Sequence, residues 1–571
     1  MIKDMKWWGW GDPAFTFPMD EKPLLWPFIQ KTLGLTDACR KTVPIDRAKV
    51  QLPAQTLNAE FVKAIGAFLK PDQIAADDEQ RLIHTYGKSF PDLFRVRQGI
   101  VDNAPDMVLF AESHAEVEKI VAAAKQFGVR LIPFGGGTNI VGGVEHLDHS
   151  AMRVTLDMRR MSRVLNIDRV SWTATIEAGV PGPKLEDDLQ ALGFSLGHMP
   201  DSFEFATLGG WLATRSAGMQ SDAYGKIEDM VVAMKLVTPA GTIETKLTPK
   251  SAAGPDIDQI ICGSEGTLGV ITEAVMKVHP IPKIKDYHGV LFPDFESGSA
   301  AIHEAISRNA SPTMFRLQDV AETGLAFSMK KPASGVSGFI QAQLKKYLKA
   351  KGYGTPCLMM VGFEGEPDHA ADMRRKVLPI MKKNCGFHLG NSVGKTFQKN
   401  KFAVPYLRDI LMNHGCMVDV AETAAVWSKL MPLYRAARDA IQAQFKKEGY
   451  PGYIGCHISH SYVDGASLYF TFAARQTEGR ELEQYYRFKR LITETFIQNG
   501  GTLSHHHAVG YEHRPWMERE VTRPGLTLLR GLKKALDPDG IMNPGKLIPP
   551  EGKGSDAPTP STTVPIEILK P

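Results

Sequence analysis

No stretch of this chain approaches the ~18 consecutive apolar residues that a membrane-spanning helix needs. The longest candidates are LLWPFI at residues 24–29 and DMVVAMKLV at 229–237, which a lysine interrupts. The N-terminus, MIKDMKWWGWGDP, carries charge and tryptophan where a secretory leader needs an apolar core, so export is not expected. Cysteine is scarce and scattered. Cys39, Cys262, Cys357, Cys385, Cys416 and Cys456 form no C-x-x-C pair and read as reduced thiols of a cytoplasmic protein, not as a disulfide framework or a zinc knuckle. Neither sign of charge is in excess: 67 Lys+Arg against 63 Asp+Glu leave +4. That excludes a broad basic field for nucleic acid while permitting a local anion pocket. With 43% hydrophobic and 23% charged residues the composition is that of a folded chain. At about 150 residues per domain, 571 residues imply two to four domains.

Beyond a lead rich in Pro and Trp, which contains the helix-like LNAEFVKAIGAFLK, a sharper pattern begins near residue 100. The apolar strand DMVLF leads to Ser113, with Glu116 three residues later as a capping box requires. Val117, Ile120, Val121, Ala124 and Phe127 then fall on one helical face, and Gly128 supplies a left-handed stop. VRLIP is the next strand and runs straight into PFGGGTNIVGG, five glycines in eleven positions. Such a loop lets backbone N–H groups converge on a pyrophosphate. It lacks the G-x-G-x-x-G spacing, and its helix precedes it, so a nicotinamide-type Rossmann fingerprint is not expected. Strand-like segments continue to about 280, after which amphipathic helices (DHAADMRRKVLPIMKKN, WSKLMPLYRAARDAIQAQFKK) mix with strands (HGVLF, LYFTFAA).

Two further segments, His198–Val231 (HMPDSFEFATLGGWLATRSAGMQSDAYGKIEDMV) and Gly263–Ala274 (GSEGTLGVITEA), together with the first loop, resemble the flavin-cradling segments of the vanillyl-alcohol-oxidase-type FAD family. The resemblance implies an α+β fold: a two-subdomain PCMH-type FAD-binding domain, an α+β cap, and helical N- and C-terminal segments. It assigns FAD contact to Pro133, Phe134, Gly135, Gly136, Gly137, Thr138 and Asn139 in the first segment. In the second it assigns Asp201, Ser202, Phe203, Glu204, Phe205, Ala206 and Thr207, then Thr214, Arg215, Ser216 and Ala217. In the third it assigns Glu265, Gly266, Thr267, Leu268, Gly269, Val270 and Ile271. The expected divisions are 1–99 lead, 100–282 FAD-binding domain, 283–500 cap, 501–549 C-terminal segment and 550–571 disordered tail.

Fold does not fix chemistry, so the cap must choose the reaction. Flavin 2-hydroxy-acid dehydrogenases of this family carry G-D-G-N-L-H on a cap strand; here the stretch reads VDGASLYF, with Tyr469 in place of the histidine. Instead KWWGWGDP, FRLQD around Arg316, PYLRD around Arg408, DGASLYF and LSHHHAVG resemble the alkyldihydroxyacetonephosphate synthase family from about residue 6 to about residue 547. That family exchanges the acyl group of acyl-dihydroxyacetone phosphate for a fatty alcohol in ether lipid synthesis, through a flavin N5 adduct and without net redox. The resemblance gives Tyr469 the proton, Arg408 and Asp201 the substrate, and Arg316 a part in activity. A free phenol has a pKa of about 10, so its anion needs positive charge or donors, which His505, His506 and His507 are expected to supply. In an extended segment His505 and His507 would share one face and His506 the other. A metal bound by adjacent strand residues is therefore not expected.

Two departures leave room for a synthase-like relative with another substrate, and a dehydrogenase or oxidase acting on a 2-hydroxy acid of the D-lactate or glycolate type is the alternative. The family's Gly-Glu-Ser-Phe-Glu-Thr-Ser is Val418 to Ala424 here, so a pocket serine becomes Val420, and IMNPGKL near the C-terminus resembles the dehydrogenases. A cytoplasmic location is expected, since the chain ends Leu569-Lys570-Pro571 without a peroxisomal signal. Peripheral membrane contact, for which Trp7, Trp8 and Trp10 are one candidate, and a homodimer are left open.

Overall fold

Ser113 begins the helix His114–Phe127, its Oγ accepting from the Glu116 N–H at 3.3 Å, and Gly128 ends it with φ of 67°. Only half of the capping box forms: the Glu116 carboxylate reaches past Ser113 to accept from the Glu112 N–H at 2.7 Å and from Gln73 Nε2 at 2.9 Å. The computed structural model describes residues 3–36, 39, 41–331 and 335–550. The tail expected from 550 onward, including the chain end, lies after its first residue outside the described residues.

The helix packs Val117, Ile120, Val121 and Ala124 against Met107, Leu109, Leu131, Val154 and Leu156. These come from Met107–Phe110, Arg153–Asp157 and Arg130–Phe134, which run parallel in that spatial order. Being covered on both faces, they read as continuous apolar runs. The lead carries helices at Leu25–Leu33, Ala59–Gly66, Asp78–Ile83 and Phe90–Arg97, and also the strand Ile74–Ala75, which closes this sheet antiparallel to Met107–Phe110. Long irregular stretches separate the helices where Pro44 and Pro53 withhold amide donors.

A second, antiparallel sheet orders Val164–Asp168, Thr173–Glu177, Val270–Lys277, Val231–Thr238 and Gly241–Glu244. It buries Ile176, Leu236 and Met276 against Leu208, Trp211 and Leu212 of the short helix Leu208–Thr214. These two subdomains face each other across the three glycine-bearing segments.

The cap is a seven-stranded antiparallel sheet in the order Phe387–Gly390, Ile284–Phe292, Cys357–Gly365, Met314–Gln318, Gly452–Ser461, Gly465–Arg475, Cys416–Val426. Period-2 alternation decides what each face does. Phe315 and Leu317, Ile454, Cys456 and Ile458, and Leu468, Phe470 and Phe472 point into a core shared with helices Phe295–Ser307, Pro367–Lys383, Trp427–Glu448 and Glu481–Gln498. The intervening Arg316, His457, Tyr469 and Thr471 point the other way, toward the FAD-binding half. The fold is α+β, with parallel and antiparallel layers segregated as such folds require. No helix among the described residues is long and apolar enough to cross a membrane.

Candidate active site

Between cap and cradle lies a cavity of about 800 Å³. Its floor is the first glycine loop, where the chain must come closer than a side chain allows. A Cβ at Gly136 would collide with the Phe205 carbonyl, and Gly137 sits at φ of 65°. Pro133, Phe134, Gly135, Gly136, Gly137, Thr138 and Asn139 all line it. So do Asp201, Ser202, Ala206, Thr207, Thr214, Ser216 and Ala217 from the second segment, and Glu265, Gly266, Gly269 and Ile271 from the third.

Several residues expected at the cofactor stand behind this wall, because their side chains have other work. Phe203 stacks between Trp211 and Phe402, Leu268 joins the same core, and Val270 packs with the first sheet. Phe205 packs with the N-terminal lead, and the Glu204 carboxylate accepts from Tyr406 Oη at 3.3 Å. Arg215, at φ of 50°, donates to the Cys262 and Gln259 carbonyls, and Thr267 Oγ1 donates to the Ser264 carbonyl.

The NPGK ending belongs to the cradle. Asn543 Nδ2 donates to the carbonyls of Gly143 at 2.9 Å and Glu265 at 2.7 Å, stitching the first loop to the third. Glu265 in turn accepts the N–H groups of Val509 and Gly510, and burial lifts its carboxyl to about 7.

The tryptophan-rich lead positions an arginine. Asp409 accepts the Trp10 N–H at 3.1 Å and pairs with Lys6 at 3.3 Å, and Tyr406 Oη accepts the Asp12 N–H at 3.0 Å. This fixes the start of helix Leu407–Asn413, and Arg408 projects into the cavity over Trp10. Trp10 is buried, and the half-buried Trp7 packs on the cap core, which pins the lead to the body. Arg316 enters from the cap sheet. Its strand is tied to the second segment by Asp222, which accepts the N–H groups of Phe315 and Ser461 at 2.7 Å each. Burial raises that carboxyl to about 7, against the pull of those donors. Among the described residues, Nε of both Arg316 and Arg408 is buried without a partner, which suits a bound anion.

Tyr469 is half-buried and faces the cavity. Its ring stacks on His457 at 4.8 Å and on His506 at 5.9 Å, and meets His507 edge-on at 5.4 Å. Burial, with Asp201 alongside, pushes the phenol well above its ordinary value, although Arg316 pulls the other way. The histidines do not offset this with charge. Burial lowers His506 to about 3 and His507 to about 4, and holds His505 well below the usual range. Of the two kinds of support expected from the histidines, positive charge or donors, burial thus disfavours charge.

Nor is the histidine segment extended. Residues 504–507 form a turn wrapped around the buried Glu422 carboxylate. That carboxylate accepts Ser504 Oγ at 2.6 Å and the N–H groups of His505, His506 and His507 at 2.7, 3.1 and 3.0 Å. Burial opposes the charge on Glu422, yet its carboxyl is held well below the ordinary value beside the histidine segment and Ser504, whose N–H and O–H groups converge on it. In this turn His506 and His507 line the cavity while His505 sits behind them, its Nε2 at 2.6 Å from Tyr462 Oη and its Nδ1 at 3.0 Å from His506 Nδ1. Ring nitrogens of His460, His505 and His506 fall within 4.8 Å of one another. The strand argument against convergence on one point thus does not hold for this turn.

Sequence reasoning passed over Glu422, His457, Glu322 and His460. Glu422 and His457 are the register partners of Tyr469 on its two neighbouring strands, and Glu322 pairs with His457 at 2.9 Å. The signal for His457 was present, since GYIGCHISHS alternates as a strand does. Glu422 carried none. Val420 lines the cavity, as its replacement of a pocket serine implies.

Comparison with known proteins agrees with this geometry. Residues 105–246 match the FAD binding domain, and residues 281–547 match the C-terminal domain of FAD linked oxidases. The chain is 44% identical to the alkyldihydroxyacetonephosphate synthase of Dictyostelium discoideum over 96% of this chain and 94% of that protein. It is 37% identical to the enzyme of that name from Trypanosoma brucei brucei, over 98% and 95%. A solved alkyldihydroxyacetonephosphate synthase structure superposes with a TM-score of 0.83 at 40% identity, covering 95% of this chain and 98% of that one. The glycine floor and the hydroxyls of Thr207, Thr214 and Ser216 fit FAD, offering close backbone approach and hydrogen-bond partners along one wall. Likeness of this degree, carried over nearly the whole length of cradle and cap, makes the chain an FAD enzyme of the alkyldihydroxyacetonephosphate synthase family.

Proposed function

We propose that the enzyme exchanges the acyl group of acyl-dihydroxyacetone phosphate for a fatty alcohol, forming an ether lipid precursor with no net redox. The observation that carries this reading is the make-up of one cavity. Arg316, Arg408 and Tyr469 stand in it together, and Phe15, Phe28, Ile29, Leu325, Met329 and Leu411 give the same cavity apolar wall. The arginines suit the phosphate and the departing carboxylate, and the apolar wall suits a long chain. Held on the glycine floor and by the hydroxyls of Thr207, Thr214 and Ser216, FAD would supply the electrophilic ring that lets the substitution proceed in two easier steps.

The protein's part is proton management. A neutral phenol accepts a proton from carbon only as it hands its own away. That one proton passes to either His506 or His507, both in ring contact with Tyr469, and the Glu422 carboxylate, 3.4 Å from His506 Nδ1 and 3.7 Å from His507 Nδ1, stabilises the single imidazolium that results. Tyr469 Oη then takes the substrate proton. The purified holoenzyme, given acyl-dihydroxyacetone phosphate and a labelled fatty alcohol without any electron acceptor, is expected to place the label in the ether product. Bleaching of the flavin by D-lactate or glycolate would overturn the reading in favour of a dehydrogenase.

A further inference from the structure

An ester and an alcohol that exchange partners give an ether and a carboxylic acid. Near neutral pH that acid, with a pKa of about 4, is ionised, so one proton per turnover must leave the pocket for water. In the reading above, Tyr469 hands its proton to His506 or His507. Of the two, His506 leads further. Its Nδ1 lies 3.0 Å from His505 Nδ1, and His505 Nε2 lies 2.6 Å from Tyr462 Oη. Among the described residues the ring nitrogens of His507 make no hydrogen bond, and Glu422 approaches them to 3.7 Å.

Neither His505 nor Tyr462 lines the cavity that holds Tyr469 and His506. Tyr462 is half-buried and opens the turn between strands Gly452–Ser461 and Gly465–Arg475, where the next residue, Val463, is 77% exposed. The line of contacts therefore runs from the pocket to the surface. Its middle is held firmly: Glu422 accepts the His505 N–H at 2.7 Å, Lys226 Nζ donates to the His505 carbonyl at 2.7 Å, and Trp427 Nε1 donates to the Tyr462 carbonyl at 3.1 Å. Burial keeps His505 and His506 neutral, and a neutral imidazole accepts at one nitrogen and donates from the other. With His460 these rings also gather as metal ligands do. Ligand atoms of one tetrahedral zinc stand about 3.3 Å apart, however, whereas the two Nδ1 atoms keep the shorter spacing of a hydrogen bond and Tyr462 occupies the other nitrogen of His505.

We propose that His505 and Tyr462 are the proton exit of this site. His506 passes its Nδ1 proton to His505 Nδ1, His505 passes its Nε2 proton to Tyr462 Oη, and Tyr462 gives its hydroxyl proton to water. Each group takes one proton and gives one, and no electron moves. His505 and Tyr462 act through His506, which makes them positioning residues that meet neither substrate nor flavin. The proposal rests on the reading of Tyr469 as the group that takes a proton from substrate carbon. A proton taken there shares the exit, so an isotope on that carbon reports whether the exit works.

The test gives the holoenzyme a fatty alcohol, in ordinary water, with acyl-dihydroxyacetone phosphate that carries two deuterons on the carbon bearing the acyl group. The mass of the ether product is then read. The parent should replace one deuteron by hydrogen, because the deuteron that Tyr469 takes leaves before it can return. Tyr462→Phe keeps the ring and cannot pass a proton, so most of its product should keep both deuterons. Its kcat should fall about tenfold, less than the 10²–10⁴ expected of a group that meets substrate. His505→Gln should do the same, which gives two independent variants, each checked for folding by flavin absorbance and a urea midpoint. Ether product that keeps both deuterons in the parent would overturn the exit. So would folded variants that turn over slowly yet lose a deuteron as the parent does, since a purely structural role changes the rate and leaves the label alone. A parent that makes no ether product from any alcohol would instead overturn the reaction, and the exit with it.

Discussion

Glu422 and Tyr469 are register partners on adjacent cap strands, so the carboxylate that gathers the histidine turn is fixed one strand away from the phenol. Glu422→Gln keeps the shape but puts an amide where four donors now converge. Hydrogen bonds to a charged group contribute about 1.5–3 kcal/mol, and a urea midpoint should register a loss of that order. The exchange rate should fall further than residual folded fraction explains, because His506 and His507 lose both their placement and the carboxylate that favours their charged form.

Tyr469→Phe removes Oη and little else, since the ring keeps its stacking on His457. Loss of a positioned proton-transfer group costs about 10²–10⁴ in rate. Flavin content, read from the visible spectrum, should be unchanged. Full activity in this variant would remove the phenol from the reaction.

Acid should destabilise the protein earlier than its carboxylates alone would make it. Burial holds His198, His506 and His513 at about 3 and His507 at about 4. The unfolded chain takes up protons at these groups near pH 6.5 and the folded one does not, so stability is full above about pH 6.5 and declines as pH falls toward 3–4. Each such histidine contributes a loss on the order of 2 kcal/mol by pH 5. Glu422 works in the same direction but lower, below the ordinary glutamate value. Replacing His507 by Gln should flatten the decline by one histidine's share; an unchanged slope would show that it is not neutral when folded.

Asp409 never meets the cavity, yet it binds the Trp10 N–H and Lys6 to the helix that aims Arg408. Asp409→Asn should raise KM for the phosphate-bearing substrate about tenfold or more, while kcat changes less, as expected when an anion clamp is misplaced. Equal losses in the two constants would make Asp409 structural only.

The helix from Ser113 to Gly128 and the strand into the glycine loop were legible because each follows from local pattern, a cap and a periodicity, whereas Arg316 and Tyr469 came from the family resemblance alone. The histidine turn was not. A run of three histidines looks extended until a carboxylate 83 residues earlier collects their N–H groups, and no local pattern records that partner. The charge states failed for a related reason. Burial, which composition does not reveal, makes neutral donors and acceptors of groups that would be ionised or half-ionised in water. The NPGK ending has a structural part that its sequence did not disclose. It resembles the dehydrogenases, and its Asn543 joins two loops of the cradle through Nδ2 while also lining the cavity.

The central claim is that this site exchanges groups without consuming or releasing electrons. Anaerobic incubation of the holoenzyme with acyl-dihydroxyacetone phosphate and a labelled fatty alcohol, followed for both product and flavin absorbance, tests it most directly. The account predicts labelled ether product with the flavin oxidised before and after turnover and no acceptor present. Product that forms only when an electron acceptor is added, or no ether product together with flavin bleached by a 2-hydroxy acid, would contradict it.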